Sequence, residues 1–391
     1  MTSYYRPTRA EISLDALGGN IAAFRGAIPN DMRIMASVKA NAYGHGAVEI
    51  ARKAVKCGAD ALGVAFLDEA LQLRRAGITA PILVLGYVGP EGLAVARDFD
   101  IAVTLFREDI LEAAAQLPPG PHKLRVQLKI DTGMGRLGLL PDAPWQRFVE
   151  RALALPGLEI EGMYTHYATA DEADKSYARL QHERFASIAA EVRRRDYPIP
   201  LLHAGNSAAG IDTPEWAGGM LRLGIGMYGI YPSAEVNRQR IPLQPVLSLR
   251  SELVMAKQVP AGWGVSYGVR YKAQRAERIG TLPIGYADGY SRMLTGKAEV
   301  LVRGHRAPVV GTICMDQCMV ALDGAAGGLG PVQAGEEVVL IGSQGEASIT
   351  AEEVASHLGT IPYEVICMLA ARVPRVYTEH GRIIAIGNAL D

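Results

Sequence analysis

The chain has 391 residues, 49% of them hydrophobic and 21% charged, with a formal net charge of −1. That composition is ordinary for a globular enzyme of two or three domains, and it argues against a nucleic-acid or anionic-membrane binder, which needs a basic surplus. No apolar run approaches the roughly 20 residues of a membrane span, and "MTSYYRPTRAEISLDAL" has no apolar segment of the signal-peptide kind.

The first elements alternate strand and helix. "IMASVK" (34–39) reads as a strand and "GAVEIARKAVKCGA" as the helix after it. "ALGVAF" (61–66), "PILVLG" (81–86), "IAVTLF" (101–106), "KLRVQLKI" (123–130) and "LEIEGMYTH" (158–166) are each followed by a helical stretch. "PLLHAGN" (200–206) and "GMLRLGIGM" (219–227) complete eight strands. The runs are short and nearly continuously apolar, as parallel strands covered on both faces require. Eight such units favour a closed (β/α)8 barrel over a doubly wound sheet, which usually stops at five or six strands.

After "IPLQP" the texture changes to short alternating strands such as "AEVLVRG", "APVVGTICMD" and "EEVVLIG", separated by glycine-rich turns. One helix, "TAEEVASHLG", opens on Thr350 with Glu353 three residues later, a capping-box pattern. The expected division is a barrel over 1–241 and a β-rich domain over 242–391. The cysteines, Cys57, Cys314, Cys318 and Cys367, form no CxxC pair and read as buried apolar filler in a reducing compartment, the cytoplasm.

Catalytic groups of a barrel sit at the C-terminal strand ends. Here these positions carry Lys39, then Lys129 and Asp131 with Arg136 beyond, His166, the set His203, Asn206 and Ser207, and finally Arg222 with "GIGMYG". The loops after the last two strands, "HAGNSAAG" and "RLGIGMYG", are small-residue stretches suited to a phosphate. Two GxGxxG matches, Gly133-Gly135-Gly138 and Gly224-Gly226-Gly229, lack the surrounding βαβ pattern of a dinucleotide site. A phosphate cup facing a strand-end lysine suggests pyridoxal 5'-phosphate, whose aldehyde forms a Schiff base with lysine.

The stretch "VKANAYGHG" closely resembles the cofactor-lysine motif of alanine racemases. "KIDTGMGRLG", "THYATAD", "HAGNSAAG", "RLGIGMYG", "WGVSYG", "GYADGYSR", "GTICMDQ" and "PYEVICMLAARVPR" resemble further motifs of that family, in its order, from about residue 7 to 378. The resemblance implies a homodimeric enzyme that interconverts L- and D-alanine and supplies D-alanine for peptidoglycan. It implies Lys39 and Tyr267 as two bases on opposite faces of the substrate, with Tyr267 from the partner subunit and His166 and Arg222 as the cations that make it acidic. Arg222 would face the pyridine nitrogen. Tyr43, Asn206, Ser207, Gly224, Ile225 and Tyr363 match cofactor contacts. Arg136 and the Met315 backbone match substrate-carboxylate contacts, and Lys129 a lysine that many members carry as a carbamate. Asp171, Tyr286, Arg292, Asp316 and Tyr363 resemble a polar entrance gate. Where the family often has arginine, this chain has Thr312, which puts the outer gate in doubt. His203 matches no family role and reads as core packing. The competing readings are a serine or broad-specificity racemase, a decarboxylase of the same architecture, and a non-catalytic carrier of the cofactor. A carrier would end near residue 230.

Overall fold

The computed structural model describes residues 4–120, 122–324 and 329–390. Its first strand, β1 (Arg9–Ser13), lies outside the barrel. It pairs antiparallel with a strand at Leu247–Glu252 and parallel with one at Arg375–Glu379. The burial of β1 alternates residue by residue, the signature of a strand with one covered face.

The barrel sheet begins with β2 (Arg33–Ser37) and continues through β3 (Ala61–Val64), β4 (Ile82–Val84), β5 (Ala102–Leu105), β6 (Leu124–Lys129), β7 (Leu158–Tyr164) and β8 (Leu202–His203) to β9 (Met220–Leu223). Each strand from β2 to β7 pairs in parallel with the next in sequence, and β9 returns to pair with β2. Backbone bonds from Gly219 N to Leu202 O (2.8 Å) and Arg222 N to Gly205 O (3.1 Å) join the two remaining edges. Every residue of β4, β5 and β9 is buried, as expected for strands covered on both faces. The intervening helices follow an apolar stripe: Ala47–Lys56 buries Ala47, Ile50, Ala51 and Ala54, at helical spacing.

The second unit is built on an eleven-stranded sheet that includes β1 and the strands Glu299–Val302, His305–Val310 and Glu337–Gln344. The helix Ala351–Leu358 has the Thr350 half of the predicted capping box, its hydroxyl accepting from Glu353 N, while the Glu353 carboxylate pairs with Arg306. The units divide as residues 17–42 and 47–244 for the barrel, and 1–16, 43–46 and 245–391 for the other. This differs from the expected 1–241 and 242–391 at both N-terminal pieces. The physical reason is local. β1 is hydrogen-bonded into the second sheet. The glycines of Tyr43–Gly46 lie against that unit's own residues: a Cβ on Gly44 would meet Ile366 O at 2.2 Å, and one on Gly46 the Tyr377 hydroxyl at 1.7 Å.

The filler reading of the cysteines holds only for Cys318. Cys57 and Cys314 are half-buried and Cys367 is exposed. Among the described residues no helix is long and apolar enough to cross a membrane.

Candidate active site

Lys39 stands two residues past the end of β2, at the start of an unusual turn. Ala40, Asn41, Ala42 and Tyr43 all have φ of 52–53°, so four successive non-glycine residues are left-handed. Such a conformation costs about 1–2 kcal/mol per residue and persists only where its surroundings impose it. Here Ala42 N bonds Val38 O at 2.8 Å, and the Asn41 side chain accepts from Ala47 N at 2.9 Å. Glu69 holds the lysine's neighbour. One carboxylate oxygen accepts from Ala40 N (2.6 Å), and the other accepts from Ala65 N (2.7 Å). Glu69 escaped the sequence reading because an acid in the first turn of a helix ordinarily serves only that helix.

The barrel mouth is organised around Arg222, a buried arginine (5% exposed) that must find acceptors for its donors. Its guanidinium donates to Thr165 O and Ala204 O, both at 2.8 Å, and to two histidine nitrogens: His203 Nδ1 at 2.8 Å and His166 Nδ1 at 3.0 Å. Because arginine only donates, both Nδ1 atoms must accept, which makes both rings neutral with the proton on Nε2. His203 Nε2 then donates to Gln127 Oε1 at 2.8 Å. Burial, reinforced by the Arg222 charge, holds both histidines well below the usual imidazole range. The expectation of a cationic His166 therefore fails, and the positive charge of this cluster resides on Arg222. Burial draws Arg222 down to about 10, so it keeps its proton at neutral pH.

His203 is also more than core packing. It fixes the arginine from behind and stacks on Tyr164, with ring centroids 4.9 Å apart and planes 7° apart. Its place at a strand end was the signal available in the sequence.

Lys129, at the end of β6, is buried with its Nζ 4.1 Å from the centre of the Tyr164 ring. Burial, with Arg222 and Arg136 adding like charge, lowers its amine well below the ordinary lysine range. The following loop is shaped by Asp131, whose carboxylate accepts from Gly133 N and Gly135 N at 3.0 Å and Arg136 N at 3.1 Å. Across the barrel, the Ser207 hydroxyl accepts from Gly224 N (2.9 Å) and Gly226 N (3.2 Å), so the turn containing Ile225 folds over the first residue of the helix Ser207–Asp212. Asn206 is that helix's N-cap, accepting from Ala209 N. Asp171 lies half-buried in the loop beyond His166.

The remaining predicted residues belong to the second unit. Tyr43 and Tyr363 meet there, with ring centroids 6.2 Å apart. Tyr267 is 74% exposed on a short turn, Tyr267–Val269. Tyr286 N bonds Cys314 O and Ala287 N bonds Met315 O, both at 3.0 Å, which brings Tyr286 beside Met315. Asp316 pairs with Arg372 at 2.6 Å, and Arg372 also reaches the fully buried Asp288. Arg292 begins the next short turn, Arg292–Leu294.

Two family profiles divide the sequence between them. One, described as alanine racemase, N-terminal domain, matches residues 12–232; the other, alanine racemase, C-terminal domain, matches residues 246–377. The chain belongs to the alanine racemase family. It is 47% identical to the alanine racemase of Geobacillus stearothermophilus, over all of this chain and 98% of that protein. It is 45% identical to the alanine racemase of Desulforamulus reducens, over 95% and 99%. The solved structure of the Bacillus anthracis alanine racemase with bound L-Ala-P superposes with a TM-score of 0.94 at 42% identity, covering 100% of this chain and 99% of that one. The resemblance read from the motifs and the (β/α)8-plus-β architecture are thus both established, and the chain is an isomerase of this family.

The racemase-family residues of the barrel fit a pyridoxal phosphate by the chemistry of their donors. Arg222 presents a charge that two neutral histidines cannot remove. The Ser207 hydroxyl, which accepts from Gly224 N and Gly226 N, keeps its own proton to donate, in a turn of small residues. Lys39 supplies the amine, its own backbone turn held by Glu69.

Proposed function

We propose that this chain is a cytoplasmic, homodimeric racemase that interconverts L- and D-alanine on pyridoxal 5'-phosphate and supplies D-alanine for peptidoglycan. The observation that carries the reading is the Arg222 constellation, a buried guanidinium tied to two neutral histidines beside a small-residue cup. Lys39, Tyr43, His166, Asn206, Ser207, Arg222, Gly224, Ile225 and Tyr363 would hold the cofactor. The chemistry supplied there is an electron sink for the pair left behind when the substrate Cα–H bond breaks.

The chain's own residues do the rest. Lys39 Nζ accepts or returns the α-proton on one face, and the Tyr267 hydroxyl of the partner subunit does so on the other. Two bases on opposite faces invert the carbon, because the proton leaves to one and a second proton arrives from the other. Arg222 would face the pyridine nitrogen and, keeping its own proton, would leave that nitrogen without one, which would weaken the electron sink and disfavour transamination.

Arg136 and the Met315 backbone would bind the substrate carboxylate. Lys129 would carry a carbamate. A neutral amine attacks CO2, forming an N–C bond and releasing one proton to solvent, and the burial of Lys129 between arginine charges favours that neutral amine. The resulting anion would orient Arg136. Asp171, Tyr286, Arg292, Asp316 and Tyr363 would form the entrance gate, with Tyr286 and Tyr363 narrowing it and favouring alanine over serine.

The test is D-alanine formation from L-alanine by the cofactor-loaded protein, with L-serine and Lys39→Ala assayed alongside. The reading requires alanine turnover that is lost in Lys39→Ala and exceeds serine turnover. Faster turnover of serine would overturn the substrate assignment.

A further inference from the structure

Tyr267 is 74% exposed within its own unit, so no side-chain packing there fixes the ring. Its position must come through its backbone, and that backbone is strained. Ser266 has φ of 65° and Val269 of 45°, both non-glycine residues in the left-handed region, with Gly268 at 73° between Tyr267 and Val269. A turn of this kind holds only if neighbouring groups impose it.

The imposing group is Thr312. Its side-chain hydroxyl donates to Tyr267 O at 2.8 Å, while the Ser266 hydroxyl donates back to Thr312 O at 2.5 Å. The two segments thus exchange hydrogen bonds in both directions. Thr312 is 2% exposed, so water has little access to compete for its bond. The segment is also held against the turn by shape: a Cβ on Gly311 would lie 2.7 Å from Val265 O and 2.9 Å from the Ser266 Cβ. Ser266 also lies 3.3 Å from Cys314 Sγ, on the strand of chain that leads to Met315. The threonine that departs from the family's frequent arginine is therefore buried behind the tyrosine.

We propose that Thr312 is a positioning residue for racemisation: its hydroxyl, through the carbonyl of Tyr267, sets the reach of the tyrosine that serves as one of the two bases. This inference rests on the two-base reading above. Removing the hydroxyl would let the turn relax and withdraw the phenol from the substrate carbon without altering the phenol itself. A displacement of about 1 Å at a reacting group can cost on the order of a hundredfold in rate.

The experiment uses the cofactor-loaded dimer and compares Thr312→Val, Thr312→Ser, Ser266→Ala and Tyr267→Phe. Both directions of turnover are measured, with α-deuterated L- and D-alanine. Thr312→Val should lower kcat about tenfold or more with KM nearly unchanged. Thr312→Ser, which keeps the hydroxyl, should recover most of the rate. The substrate isotope effect should rise for the enantiomer whose proton goes to Tyr267 and stay constant for the other, a split that general loosening of the fold would not produce. Ser266→Ala, which removes the return bond, should act in the same sense and serves as the test if Thr312→Val does not fold. Wild-type kcat and isotope effects in the folded Thr312→Val protein, or no recovery in Thr312→Ser, would overturn the role of the hydroxyl. Full turnover by Tyr267→Phe would overturn the two-base reading, and this inference with it.

Discussion

The sharpest stability consequence concerns His203, because its ring links Arg222, Gln127 and Tyr164. Consider His203→Leu, which keeps apolar bulk and removes both nitrogens. Arg222 then loses an acceptor at a buried charged donor, worth about 1.5–3 kcal/mol. The stacked contact with Tyr164 adds about 0.5–1.5 kcal/mol. Retained leucine packing offsets part of this, so the net loss should be about 2–4 kcal/mol. Urea unfolding, followed by both tryptophan fluorescence and circular dichroism, would measure it. A double-mutant cycle with Gln127→Leu should return a coupling of about 1 kcal/mol, because the two residues share one hydrogen bond. A loss below about 1 kcal/mol in His203→Leu would refute the reasoning, since it would mean that Arg222 does not depend on this acceptor.

Three further outcomes follow from the same geometry. Glu69→Gln should destabilise the left-handed turn and weaken cofactor retention severalfold while leaving the barrel folded, as measured by dialysis against cofactor-free buffer. Unchanged retention would sever Glu69 from the lysine. The buried neutral histidines have folded-state pKa values below their unfolded ones, so the unfolded chain binds protons first as the solution is acidified. Stability from them is complete above about pH 6.5 and falls as pH drops below it, by up to about 1.4 kcal/mol per pH unit per histidine. Thermal unfolding between pH 7 and 5 checks this, and His203→Leu should show a shallower slope than the parent. Lys129 should show an acid-labile carbamate signal by carbon NMR under labelled CO2, absent in Lys129→Ala. Activity of the parent protein should fall after CO2 is stripped and return on adding bicarbonate; indifference to CO2 would speak for a plain amine.

Much of the fold was legible because the barrel repeats one pattern. Short apolar runs alternating with helices can bury their strands in few ways, so all eight barrel strands could be placed from sequence. β1 was not legible in the same way. Five residues of alternating burial carry no record of which sheet they join, and the pairing partners lie more than 230 residues away. The unit boundary at Tyr43–Gly46 escaped for a related reason, since close approach of glycines to Ile366 and Tyr377 is a tertiary fact.

Within the site, residues at strand ends were found because topology alone directs them to one mouth. The groups that hold them were harder to see. Glu69 resembled an ordinary helix-start acid, and His203 an ordinary buried histidine. The protonation of His166 could not be read from its neighbours in sequence. It follows from the direction of one hydrogen bond, donated by an arginine 56 residues away. Thr312 was noticed as a departure from the family pattern, but its burial and its bond to the Tyr267 carbonyl required the fold.

The central claim is that Lys39 and Tyr267 act as opposed bases contributed by different subunits. Mixing Lys39→Ala chains with Tyr267→Ala chains and isolating the heterodimer tests it most directly. In the heterodimer one site draws both defects and the other draws neither. Two inactive variants should yield a heterodimer with about half of the unsubstituted dimer's turnover, as one intact site of two would give. A verified heterodimer with no alanine racemisation would contradict the shared site.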